Sequence, residues 1–146
     1  MSLATRHKSA DDSPGLLLWQ VTNRWQAAQR AALKLFDLTH VQFVLLATLT
    51  YLEASGTVTQ KALADMAATD PMMTSQVLRT LERRDLVHRP PHPTDRRARA
   101  VAVTETGRDL ANHAVVAVEA CDASFFAGLG DGLPAFIKGL RTLRQS

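Results

Sequence analysis

Cysteine is almost missing from this chain: one residue, Cys121, in 146. A lone thiol excludes an internal disulfide, and no Cys/His spacing resembles a zinc site, so a reducing, cytoplasmic setting is expected. Catalytic signatures are missing too. There is no Gly-x-Ser-x-Gly, no His-Glu-x-x-His and no phosphate loop between a strand and a helix, so an enzyme is the poorest reading and no cofactor is implied. No unbroken apolar run approaches the ~18 to 20 residues of a membrane span. The segment from Met1 to Pro14 is charged or small and polar, without the apolar heart of an export signal. No internal repeat or low-complexity tract argues for a solenoid or a linker.

What remains is ordinary globular material with one uneven feature. Hydrophobic residues make up 46% of the chain and charged residues 21%, enough apolar content for one domain with its own core. The net charge is only +3, but it is concentrated. Between Arg79 and Arg99 stand Arg79, Arg83, Arg84, Arg89, Arg96, Arg97 and Arg99 against Glu82, Asp85 and Asp95. That window carries +4 and the remainder of the chain −1. All seven cations are arginine, whose planar fork suits phosphate oxygens and guanine edges better than an ammonium does.

Periodicity orders the elements. Residues 1–13 lack a pattern and are expected to form a mobile tail ahead of a single unit over 14–146. Ser13-Pro14 is a helix start, followed by Leu17, Val21, Trp25, Ala28 and Ala32 at helical spacing to about Phe36. Thr39 opens a second helix through Val41, Val44, Leu45, Leu49 and Leu52, ending near Gly56. Thr59 caps a short helix with Ala62, Leu63 and Met66; Asp70-Pro71 starts another with Met73, Val77, Leu78 and Leu81. A short helix, a tight connection and a helix with a polar face is the helix-turn-helix layout. Two strands follow, 86–89 and 98–103, joined by Pro90-Pro91-His92-Pro93-Thr94-Asp95-Arg96-Arg97, which suits a hairpin tip. Thr104-Glu105-Thr106-Gly107 begins a long helix with Leu110, Ala114, Ala117, Cys121, Ser124 and Phe125 as its expected stripe. After Gly128 to Gly132, Leu133, Phe136, Ile137, Leu140 and Leu143 repeat helically. The fold class is therefore mainly α with a small β-wing.

These residues resemble the MarR family of transcriptional regulators: Leu38 to Phe43 opening the second helix, Ala62-Leu63-Ala64, Ser75 to Glu82, Asp95-Arg96-Arg97 ahead of Val101, and Thr104-Glu105-Thr106-Gly107. The resemblance covers nearly the whole chain. It implies a homodimer held by helices at about 14–36 and 105–144, which flank a winged helix-turn-helix at about 39–103. It further implies a sequence-specific regulator of double-stranded DNA, acting as a repressor on a pseudo-palindromic operator and released by a small-molecule effector. Carried over residue by residue, Met72, Ser75, Gln76 and Arg79 of the second motif helix face the major groove, and Arg83 of the same helix contacts DNA through phosphate. Arg96 or Arg97 at the wing tip reaches the minor groove, and Asp95 orients an arginine through a charge-assisted hydrogen bond. Asp85 stands where the family often has glycine, and aspartate tolerates the left-handed backbone that position needs.

Plainer readings stand beside each of these. Arg96 and Arg97 could merely keep a sheet edge soluble, and Ser75, Gln76 and the helix arginines could be solvent-facing polarity. Their common neighbourhood favours DNA. For Trp19, Trp25 and Phe43, core packing is the first reading and a ligand pocket the alternative. Cys121 is read as an inert buried thiol ahead of a redox sensor. His88 and His92 lack a third ligand, so no metal is assigned. Gly128-Leu129-Gly130-Asp131-Gly132 is read as an interhelical turn. The rival to a DNA regulator is a winged-helix protein-interaction module without DNA readout.

Overall fold

A computed structural model of the chain describes residues 2–146. Among the described residues, six helices and two wing strands follow one another in the expected order, with a further short strand, β1, ahead of α3: α1 (Pro14–Leu33), α2 (His40–Glu53), β1 (Val58–Thr59), α3 (Gln60–Ala67), α4 (Pro71–Arg83), β2 (Val87–His88), β3 (Ala100–Val103), α5 (Glu105–Phe126) and α6 (Leu133–Arg144). Among the described residues ahead of α1, the regular structure is a 3-10 turn at Ala10–Asp12 with no buried residue.

Helix starts follow the capping chemistry. Ser13, Thr39, Thr59, Asp70 and Thr104 each accept a hydrogen bond from a backbone N–H in the first turn of the following helix, where four donors lack intrahelical partners. Thr39 adds a capping box with Gln42. Asp37, Ala68 and Asp85 end their helical segments at positive φ (53°, 55° and 58°), so the aspartate expected to tolerate this geometry at position 85 adopts it.

The sheet order is β1-β3-β2, antiparallel throughout, with Val58 opposite Val101 and Val87 opposite Val103. Its inward valines close over α2, which is the hub of the molecule: Leu45, Leu46 and Leu49 are fully shielded, together with Leu63 of α3, Leu78 and Leu81 of α4 and Leu33 of α1. Each such leucine contributes about 1.5–3 kcal/mol by burial.

The two outer helices depart from the expected stripes. In α5 the shielded side chains are Ala111, Ala114 and Val118, in line with Gly107; of the stripe read from the sequence, Ala114 is among them, Leu110, Ala117, Cys121 and Phe125 are half-buried, and Ser124 is exposed. Gly107 sets the phase: a Cβ there would overlap the Leu86 carbonyl oxygen and lie 2.9 Å from a Val103 methyl. Only glycine lets α5 cross this close. In α1 the buried residues are Gln29 and Leu33, while Leu17 and Val21 remain about 40% exposed. An 18-residue window within 105–144 also reaches a mean hydropathy of 1.2, although polar and charged residues such as Asn112, His113, Glu119 and Asp122 break its apolar run. The path bends inside that stretch, at Gly130 (φ 52°, ψ −126°).

Candidate nucleic-acid interface

Helix α4 owes its presentation to the turn before it. Thr74 is fully buried and its hydroxyl lies 2.6 Å from that of Thr69 and donates to the Asp70 carbonyl at 2.8 Å. The Asp70 carboxylate accepts from Met73 N at 2.9 Å. With Thr74, Leu78 and Leu81 pinned inward, helical geometry turns the opposite face outward. That face carries Met72, 71% exposed, and the exposed Gln76, Arg79 and Arg83, with Ser75 half-buried beside them. Arg79 Nη2 lies 3.4 Å from Ser75 Oγ, and Arg83 Nη2 donates to Thr80 Oγ1 at 3.2 Å. Both guanidinium groups therefore lie along the outer surface. Arg84 points elsewhere, donating to Gln42 Oε1 at 3.3 Å and lying 3.8 Å from the Asp37 carboxylate.

The wing is anchored by β2 and β3 and by a bridge between Pro91 and Arg99. His92 Nδ1 accepts from the backbone N–H groups of Thr94 and Asp95 at 3.2 and 3.0 Å, which folds the tip without further strand pairing. Asp95 was expected to orient an arginine side chain; instead its Oδ1 accepts from the Arg97 backbone N–H at 2.9 Å. An Asx turn satisfies the carboxylate two residues along the chain and immobilises no long side chain. Arg96 and Arg97 are exposed at this tip.

Helix and wing meet in a cleft of about 560 Å³ whose walls include Lys61 of α3, Pro71 at the start of α4, and Arg97 and Arg99 of the wing. The Gln60 side-chain oxygen is buried there without a hydrogen-bond partner. Sequence reasoning passed over Lys61 and Gln60, because α3 was read only for its apolar side.

Trp19, Trp25 and Phe43 do not surround one cavity. Trp19 is 68% exposed on α1, so core packing does not describe it, and Phe43 is buried within the main core. Trp25 sits at the seam of α1, α2 and α5. Its Nε1 donates to Asp122 at 2.9 Å and its ring meets the His40 ring edge-on at 5.0 Å. Gln29 Nε2 donates to the same Asp122 oxygen at 2.7 Å. Burial holds His40 below its ordinary pKa of 6.5; the Arg30 charge adds to the effect and Asp122 opposes it. Cys121 is half-buried on α5, and among the described residues no three metal-ligating side chains gather.

Known proteins give this geometry its context. The sequence model of the MarR family matches residues 38–98, from the start of α2 through α4 to the wing, short of β3. An uncharacterised HTH-type transcriptional regulator, YdcH of Bacillus subtilis (strain 168), is 44% identical over 128 residues, 87% of each chain. The crystal structure of CouR from Rhodococcus jostii RHA1 bound to p-coumaroyl-CoA is similar at a TM-score of 0.83 and 29% identity, over 94% of this chain and 96% of that one. BpsR of Bordetella bronchiseptica, whose DNA binding is regulated by 6-hydroxynicotinic acid, is similar at a TM-score of 0.86 and 26% identity, over 98% and 99%. With a matching domain, a close relative over most of its length and a shared architecture from end to end, the chain belongs to the MarR family of winged-helix, DNA-binding transcriptional regulators, which are not enzymes.

Proposed function

We propose that the protein works in the cytoplasm as a homodimeric repressor that grips a pseudo-palindromic operator and lets go when a small molecule shifts the dimer. The observation that carries the DNA-binding part is the shared cleft in which the wing arginines stand beside the starts of α3 and α4. In this reading Met72, Ser75, Gln76 and Arg79 face the major groove, and Arg83 contacts DNA through phosphate. Arg96 and Arg97 enter the minor groove, and Asp95 shapes the tip that carries them. Met72 offers apolar contact to a thymine methyl, and the arginines offer forks to guanine edges and phosphates.

Dimerisation is supported by the surface left over on 14–36 and 105–144, the proposed flanks of a single unit over 14–146. Leu18, Trp19, Val21, Ile137, Leu140 and Leu143 are between 38% and 68% exposed. Between α1 and α6 runs an apolar groove of about 220 Å³ floored by Leu18, Trp25, Phe126 and Phe136. A second copy of the same helices is the self-complementary cover that two-fold symmetry provides. An effector is supported by the ligand in the CouR structure and by the regulation of BpsR; of the three aromatic candidates, Trp25 borders the groove.

Selection of duplexes from the source genome tests the reading. Enriched fragments should share half-sites ~10 bp apart, and affinity should fall steeply with salt as arginine contacts release counterions. Arg96→Ala and Arg97→Ala together should weaken binding at least ~10-fold and make the salt slope shallower by about one or two phosphates, with the melting temperature unmoved. Unchanged affinity of the double variant removes the wing from the interface. Failure to retain any duplex at low salt points to a protein-interaction module.

A further inference from the structure

Of the seven arginines around the proposed DNA surface, two turn their charge onto the protein: Arg84, toward Asp37, and Arg89, which joins the wing to α4. Arg89 follows β2 directly, where the chain leaves the sheet for the wing, and its side chain turns back onto α4. Its Nη2 donates to the Ser75 carbonyl oxygen at 3.2 Å, and its Nε lies 3.9 Å from Glu82 Oε1. Ser75 and Glu82 are two helical turns apart on one side of α4, so one guanidinium braces the length of the helix between them. The side chain is 19% exposed, and its Nε is buried without a hydrogen bond. Arg96 and Arg97, by contrast, hold their forks in solvent.

The base of the wing needs such a brace. The ladder between β2 and β3 comprises two residue pairs, Val87 with Val103 and His88 with Ala102, and beyond it only the Pro91–Arg99 bridge joins the two arms. A two-stranded ribbon this short is marginal by itself; pairing with β1 and the Gln60 N–H that donates to the Arg99 carbonyl oxygen at 2.7 Å tie the β3 arm to α3, and on the β2 arm the Arg89 side chain makes the tie to α4.

We propose that Arg89 is a positioning residue: a strut between the wing and the recognition helix that sets the angle at which both meet the duplex, without touching the duplex itself. The proposal rests on the reading that α4 and the wing grip one DNA. Holding the two elements in register before binding spares the complex that ordering cost.

Arg89→Met keeps the aliphatic stem and deletes the fork; Glu82→Gln keeps the shape and removes the ionic half of the brace. In the DNA-free protein, backbone hydrogen exchange over 90–99 should accelerate about tenfold in Arg89→Met and about threefold in Glu82→Gln, while 42–52 in α2 exchange at the wild-type rate. On a duplex selected by the wild-type protein from a randomised pool, Arg89→Met should bind roughly tenfold more weakly with an unchanged slope of log K against log salt. Arg89→Lys, able to reach one acceptor at a time, should fall between. Unchanged wing exchange in both variants overturns the strut. So does a salt slope shallower by about one phosphate in Arg89→Met, because the guanidinium then contacts the DNA backbone. Should Arg89→Met not fold, Glu82→Gln carries both measurements. If the wild-type protein selects no duplex, the DNA reading falls, while the exchange rates still decide the brace.

Discussion

The winged half of the molecule and its outer helices are both amphipathic, but only one of them is finished within a single chain. From α2 to α4 the leucines form a closed interior: Leu45, Leu46, Leu49, Leu63, Leu78 and Leu81 have no solvent exposure. Along the first half of α1 and all of α6 no side chain is buried. The winged unit has the interior it needs to hold its shape. The outer helices leave large apolar side chains in solvent, among them Trp19 at 68% and Leu143 at 64%. On the proposed dimer the difference separates two kinds of mutational sensitivity, one toward folding and one toward assembly.

The largest expected effect lies where the halves join. Gly107→Ala pushes a methyl group into the Leu86 carbonyl, and neither the α5 backbone nor the β2 turn can yield cheaply. A loss of about 3 kcal/mol or more in chemical denaturation is expected. An unchanged midpoint would mean that α5 can ride further from the sheet, and the sharp division between the halves would blur.

A smaller and different effect is expected on the outer face. Leu140→Asp changes a side chain that is 43% exposed, so the single chain loses little. In a symmetric dimer the same substitution occurs twice and places two carboxylates in an apolar contact. Sedimentation at micromolar concentration should show a shift from dimer to monomer, with helix content retained in circular dichroism and the dissociation constant raised at least ~100-fold. A dimer of wild-type affinity would move the interface away from α6.

The smallest effect sharpens the seam between the halves. His40, against Trp25, is held below its ordinary pKa of 6.5, so the unfolded chain takes up its proton first. The stability that the neutral ring supports is complete above 6.5 and declines as the pH falls from there toward the folded-state value, below which the decline stops. Thermal midpoints measured at about pH 7.5 and about pH 5.5 should differ more for the wild type than for His40→Gln. An equal difference in both would take His40 out of the pH response.

Much of this was legible residue by residue. Ser13-Pro14, Thr39, Thr59, Asp70-Pro71 and Thr104 announced every major helix start but one, because a capping oxygen needs only the next three residues to act. The polar face of α4 and the arginine-tipped hairpin were legible for the same reason: both are local. The stripe of α5 was legible at Ala114, but its centre falls on the line of Gly107, Ala111 and Val118, set by the close approach of Gly107 to the Leu86 carbonyl, a contact between elements. Asp95 was assigned an arginine side chain and holds a backbone N–H, the nearer donor. Trp19 looked like core by type and is exposed, because nothing in one chain covers it.

The order of the elements, their caps and the gathering of positive charge in one window were thus fixed by neighbours along the chain, whose interactions act over a few residues and leave their mark in spacing. Which Arg89 atom reaches which helix, why Gln29 rather than Leu17 lies inside, and that Lys61 shares a cleft with Arg97 were settled only by folding. Those pairings join residues far apart in sequence, and packing geometry, which no local pattern encodes, decides them.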